Sequence, residues 1–223
     1  ELRLNTRATA QGLAAESFDE IVLATGILPR RPPIEGLDHP KALGYLDVLR
    51  DGAPVGQKVA IVGAGGIGFD VAEYLTHSGH SAALDPQKFF AEWGVDTGYA
   101  QAGGLRPPQP EAPARKVHLL QRKASKVGDQ LGKTTGWIHR TGLKARGVGM
   151  SSSVAYQRID DDGLHVTIGG EPQTLPVDHV VICAGQEPQR ELHGQLQAAG
   201  HKVHLIGGAH EATQLDARSE KRR

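Results

Sequence analysis

Short apolar runs that end in small residues or glycine recur along the chain. Ile21-Val22-Leu23-Ala24-Thr25-Gly26, Val59-Ala60-Ile61-Val62, Lys116-Val117-His118-Leu119-Leu120-Gln121, Val180-Val181-Ile182-Cys183-Ala184-Gly185 and Val203-His204-Leu205-Ile206-Gly207-Gly208 read as buried strands. Between them, Ile67, Val71, Tyr74 and Leu75 recur at helical spacing, and Trp137, Ile138 and Leu143 mark a second helix over 134–146. Residues 43–50 predict a short helix, and Gly147-Val148-Gly149-Met150 a further parallel strand. The alternation over 153–158 and 164–168, split by the turn signal Asp161-Asp162-Gly163, predicts an antiparallel meander that continues to Thr174-Leu175. Leu164, Val166 and Ile168 share one of its faces. Pro29, Pro32 and Pro33 make 28–36 a stiff connector. Residues 79–114 hold eight glycines and prolines between Gly94 and Pro113 and predict a long irregular insertion, a class of loop that is functional or disordered. The class is α/β.

The glycine content narrows this. Gly63-x-Gly65-x-x-Gly68 follows a buried strand and opens a helix, the context in which such a motif binds a dinucleotide. The first glycine makes the turn, the second lets a diphosphate approach the backbone, and the third lets helix pack on strand. The helix N-terminus adds unpaired N–H groups and a partial positive charge. The next strand runs into Arg122-Lys123, with Lys126 close behind, where an NAD site would place an acid for the ribose hydroxyls. Cations there suit a 2′-phosphate and so favour NADP(H) over NAD(H); the alternative is a basic surface loop. This pairing requires 79–114 to loop out of the sheet. The runs closing at Gly26 and Gly185 leave backbone free to lie against a flat ring or ribose, or simply end strands. In the insertion, Phe89, Phe90, Trp93 and Tyr99 either cover a cofactor or pack the loop.

Composition excludes several classes. Lys+Arg and Asp+Glu both number 25, so no electrostatic footprint for nucleic acid or an anionic membrane exists. The single cysteine, Cys183, excludes an intrachain disulfide framework or a Cys-rich metal site, and its apolar strand makes it a packing residue. His77/His80 and His201/His204 have i, i+3 spacing but no clustered partners and read as surface histidines. Asp160-Asp161-Asp162-Gly163 reads as a hairpin turn, since the later ligands of a calcium loop are missing. No apolar run approaches the roughly 18 residues of a membrane span, and a cytoplasmic location is expected. The opening Glu1-Leu2-Arg3-Leu4-Asn5-Thr6 has neither Met nor signal-peptide layout and reads as a cut into a longer polypeptide.

VAIVGAGGIGFD (59–70), LQRKASKVGDQLGKTTGWIHR (120–140), IDDDGLHV (159–166) and VVICAGQEP (180–188) together resemble the C-terminal part of the bacterial NADPH-dependent 2,4-dienoyl-CoA reductases of fatty acid β-oxidation, old-yellow-enzyme-like iron–sulfur flavoproteins. The resemblance runs from about residue 17 to residue 218. It implies nested Rossmann-like domains of the pyridine nucleotide-disulfide reductase type, with a β-meander, in three layers. Residues 56–183 would be the NADP domain, and 1–55 with 184–223 a partial FAD domain. It implies that Gly65, Gly66 and Ile67 cradle the NADP diphosphate, that Arg122 and Lys123 hold the 2′-phosphate, and that Trp137 lies near the nicotinamide half. Ala24, Thr25 and Gly26 would face FAD, with Gly207 and Gly208 near its phosphates or ribityl chain, in a site that is incomplete here because the opening strand and Gly-rich turn of that domain are absent. The family pattern also places acids where Gly208 and His210 stand. The activity implied is hydride transfer from NADPH to FAD, with FMN and a [4Fe–4S] cluster in an N-terminal barrel that this sequence lacks. The alternative is a truncated, catalytically silent NADP-binding module.

Overall fold

The computed structural model describes residues 1–79 and 81–212; His80, paired above with His77, lies outside the described residues. In chain order the elements are α1 (Ala10–Ala14), β1 (Ile21–Leu23), β2 (Ile27–Pro29), β3 (Ala42–Gly44), α2 (Tyr45–Leu49), β4 (Lys58–Val62), α3 (Gly66–Thr76), α4 (Pro86–Trp93), β5 (Lys116–Leu120), α5 (Gly136–Ala145), β6 (Gly149–Ser151), β7 (Val154–Asp160), β8 (Gly163–Ile168), β9 (Glu171–Leu175), β10 (His179–Ile182), β11 (Gln186–Pro188), α6 (Glu191–Ala198) and β12 (Val203–Leu205). They fall into two compact units, Arg31–Ala184 and Glu1–Arg30 with Gly185–Arg223.

The unit Arg31–Ala184 is built on a five-stranded sheet in the order β3-β10-β4-β5-β6. Every pairing in it is parallel. Successive residues of β4 point to opposite faces, and both faces are buried: Val59 and Ile61 pack under Phe69, Val71 and Leu75 of α3 and Leu143 of α5. Ala60 and Val62 face the other way, against Val154, Ile159, Leu164 and Val166 of the meander β7-β8-β9. Two covered faces explain the uninterrupted apolar runs. The layers are thus helices, parallel sheet and antiparallel meander. The unit begins earlier than the expected residue 56, because Ala42–Gly44 pairs with Val180–Ile182 and so joins the same sheet.

The insertion 79–114 is also more regular than expected. Asp85 caps α4 by accepting from the Gln87 and Lys88 amides, Pro86 opens it, and Gly94 at φ 69° closes it in the left-handed region.

The second unit holds a two-stranded parallel pair, β1 with β12, and an antiparallel pair, β2 with β11. The second pair falls partly within the stretch expected as a connector: Pro29, at the end of β2, is tolerated at a sheet edge. Its core is Ile21, Leu23 and Leu196, packed with Leu13, Leu192 and Leu205. Among the described residues no helix is long and apolar enough to cross a membrane.

Candidate functional site

The turn between β4 and α3 carries the glycine motif, and its three glycines sit in three different environments. Gly63 has φ +108°, and a Cβ there would stand 2.3 Å from the Cys183 carbonyl oxygen. A Cβ at Gly68 would stand 1.9 Å from the Gly63 carbonyl oxygen, so helix and turn touch backbone to backbone. Gly65 differs: it is exposed, and a Cβ would meet nothing within 4 Å. Gly65 is also the N-cap of α3 and supplies no side-chain cap, so the first amides of the helix, those of Gly66 and Ile67 among them, have no partner within the helix. An anion fits such a cradle, and a dinucleotide diphosphate is one.

β5 delivers the cations. Arg122 and Lys123 follow its end and are both exposed, as is Lys126. Their loop is built around Gln121, which is only 8% exposed. Gln121 Nε2 donates to the Lys123 carbonyl at 3.1 Å and the Ser125 carbonyl at 2.8 Å, while its Oε1 accepts from the Gly128 amide at 3.4 Å. The Ser153 amide donates to the same Lys123 carbonyl at 3.0 Å. Gly128, at φ +75°, lies so close to Phe69 of α3 that a Cβ would stand 2.6 Å from its ring, and Arg140 of α5 donates to the Gly128 carbonyl at 2.8 Å. The loop is therefore fixed at its Lys123 end by Gln121 and Ser153, and at its Gly128 end on α3 and α5.

Tyr156 joins loop and nest. Its hydroxyl donates to the Leu120 carbonyl at 3.0 Å, the same oxygen that accepts the Gly63 amide at 2.9 Å. Burial pushes its phenol well above the usual range, while the Gly63 backbone and the positive charge of Arg122 act in the opposite direction. Neither Gln121 nor Tyr156 stands out in the sequence; the only trace is a polar side chain at the end of a buried strand and another on the inner face of a meander.

Trp137 stands on the first turn of α5, 55% exposed, one turn before Arg140. The remaining candidates gather in the second unit. Thr25 donates through Oγ1 to the Gln189 carbonyl at 2.6 Å, and the Gln189 amide donates to Gly26 at 3.1 Å. Ala24 leads into that turn from β1. Gly207 and Gly26 both have positive φ and open space where a Cβ would be. Gly208 is packed, its Cβ position 2.8 Å from Ile27 and 3.2 Å from the Gly26 carbonyl carbon. Gly185, at φ +104°, is covered by the Arg30 guanidinium. Arg190 donates to the carbonyls of Ala209 and His210, which ties α6 to this glycine turn.

Other candidates take structural places. Cys183 is buried, which pushes its thiol up to about 12 and leaves it protonated at neutral pH. Asp160, Asp162 and His165 bring their ligand atoms within 4.8 Å of one another. Asp160 accepts from Arg158 and the Asp162 amide and pairs with His165 at 2.8 Å, so the hairpin's own hydrogen bonds account for the grouping. His204, expected without a partner, pairs with Glu20 at 2.8 Å across β1 and β12.

Comparison with known proteins gives these features a context. The family pattern for pyridine nucleotide-disulphide oxidoreductases matches residues 4–214. A metal reductase of Desulforamulus reducens is 28% identical over 215 residues, which cover 94% of this chain and 31% of that protein. A cinnamate reductase of Clostridium sporogenes is 24% identical over 215 residues, covering 96% of this chain and 27% of that protein. The chain thus spans about a third or less of the length of these relatives. A 2-naphthoyl-CoA reductase, solved with 2-naphthoyl-CoA, superposes with a TM-score of 0.72 at 24% identity, over 96% of this chain and 27% of that one, which establishes the shared fold. A nest at the head of α3, an α/β sheet covered on both faces and a match along nearly the whole chain agree: this chain belongs to the pyridine nucleotide-disulphide oxidoreductase family, whose fold implies FAD and NAD(P) binding.

Proposed function

We propose that the unit Arg31–Ala184 binds NADPH and that the chain is the pyridine-nucleotide and flavin portion of a larger reductase resembling the 2,4-dienoyl-CoA reductases. The observation that carries this reading is the pairing of an open Gly65 cradle with a prebuilt cation loop at the end of the adjacent strand. Gly63, Gly65 and Gly68 shape the turn, and the amides of Gly66 and Ile67, unpaired within the helix, hold the diphosphate. Arg122 and Lys123 hold the 2′-phosphate, the first as a fork and the second as a point charge. Trp137 flanks the nicotinamide half. In the second unit, Ala24, Thr25, Gly26, Gly185, Gly207 and Gly208 hold the FAD, with Gly26 and Gly207 giving the open backbone. With both groups bound, the chemistry supplied is hydride transfer from NADPH to FAD. Reduction of the final substrate, by way of FMN and a [4Fe–4S] cluster, belongs to an N-terminal barrel acting with this chain.

Titration of the chain with NADPH and NADH tests the reading. NADPH is expected to bind at least about tenfold more tightly, and Arg122→Ala to weaken NADPH alone by about 1.5–3 kcal/mol, the worth of a charged hydrogen bond. Equal affinity for the two coenzymes, or none for either, refutes it.

A further inference from the structure

We propose that the groove between the insertion and the helices α3 and α5 is a second small-molecule site, for a compact apolar molecule bearing one positive charge. The cavity measures about 520 Å³, within the range of small-ligand pockets. Among the described residues its wall includes Tyr74, Phe89, Trp93, Ile138 and Leu143. Tyr74 is 55% exposed, Phe89 44% and Ile138 38%, so three large apolar side chains that face water converge on one groove. The rings of Phe89 and Trp93 stand 6.2 Å apart, tilted by 41°.

Charge selects the ligand. Glu73, Glu92 and Arg146 all line the groove, together with His77 and His139. His139 pairs with Glu73 at 3.7 Å and His77 faces Glu111 at 3.5 Å. Among the described residues that line the groove, two carboxylates stand against one guanidinium. Glu92 Oε1 is moreover buried without a hydrogen-bond partner. A carboxylate in that state is costly unless a positive charge lies near it. Aromatic faces beside carboxylates suit an organic ammonium group, and the apolar wall suits its hydrocarbon body. The groove meets the C-terminal half of α3, where Tyr74 lies about 12 Å along the axis from Gly66 at 1.5 Å per residue. It is therefore separate from the nest, and the proposal stands independently of the coenzyme reading.

Calorimetric titration of the chain with 2-phenylethylamine tests this, with 2-phenylethanol and phenylacetate as neutral and anionic comparators. Saturable one-to-one binding of the amine is expected, with both comparators at least about tenfold weaker. Glu92→Gln, and separately Glu73→Gln, should each weaken the amine several-fold while circular dichroism and the melting temperature stay close to those of the parent. If Glu92→Gln fails to fold, Glu73→Gln, which alters an exposed carboxylate, carries the test. No saturable binding, equal binding of the alcohol, unchanged affinity in the folded variants, or displacement of the amine by NADPH overturns the proposal.

Discussion

Two glycines of one motif, three residues apart, should fail in opposite ways. At Gly68 a methyl group would lie 1.9 Å from the Gly63 carbonyl oxygen and 3.0 Å from its carbon. Backbone cannot rotate away as a side chain does, so helix and turn must separate by about an ångström. Overpacking of that kind costs roughly 1–3 kcal/mol, occasionally more. For a chain of this size that lowers the melting temperature by about 2–4 °C per kcal/mol. At Gly65 the same methyl meets nothing within 4 Å, and the backbone, at φ −81°, is one that alanine adopts freely. The only stability term is the weaker N-cap preference of alanine, about 1 kcal/mol or less. That methyl does stand where a diphosphate would rest. Displacing it from one amide costs about 1.5–3 kcal/mol, roughly 12- to 160-fold in affinity. Differential scanning fluorimetry and NADPH titration of Gly65→Ala and Gly68→Ala separate the two effects. Gly65→Ala should melt near the parent and lose the coenzyme; Gly68→Ala should melt early. A Gly65→Ala protein that binds NADPH like the parent refutes the nest, and a Gly68→Ala protein of unchanged stability refutes the packing argument.

Other consequences are open to measurement. Gln121→Leu keeps the volume but strands the Ser125 carbonyl and the Gly128 amide, and should cost about 1–3 kcal/mol with loss of the NADPH preference over NADH, read by paired titrations. Burial, with Lys116 adding to it, holds the His118 imidazole below its ordinary 6.5. A base depressed in the folded state gives stability that is present above about pH 6.5 and lost as pH falls, so denaturant midpoints should drop from pH 8 to pH 5 and do so less in His118→Gln. Leu196→Ala empties the centre of the smaller core and should cost about 2–5 kcal/mol, visible as faster amide exchange in β1 and β12.

The parallel sheet and the nest were legible because one physical demand wrote both: strands buried on two faces must be apolar throughout, and the turn between strand and helix must be glycine. The meander was legible from alternation at Leu164 and Val166, both fully buried. The helix α4 went unread although Asp85-Pro86 and Gly94 bracket it, because proline and glycine farther along gave the stretch the composition of a loop. β3 was read as the start of a helix, since its three residues carry no period of their own and take strand form only by pairing with β10. Gln121 and Tyr156 were illegible for a different reason. Their roles rest on bonds to backbone carbonyls, and a carbonyl leaves no mark in a sequence. Arg122 and Lys123 were visible as charges, but the hydrogen bonds that build their loop were not.

The pairing of Ile21 with Val203 bears on how the chain is made. Arg31–Ala184 is continuous, so all five strands of its sheet have been synthesised before Val203 is added. β1 is made long before its strand partner, and its core around Leu196 closes only when β12 and α6 arrive. Closing so long a loop in an unfolded chain is entropically costly, but a middle that has already folded shortens it to the distance between its own ends. Mutations that slow the middle, Gly68→Ala among them, should therefore delay the outer unit as well, even though they touch none of its residues.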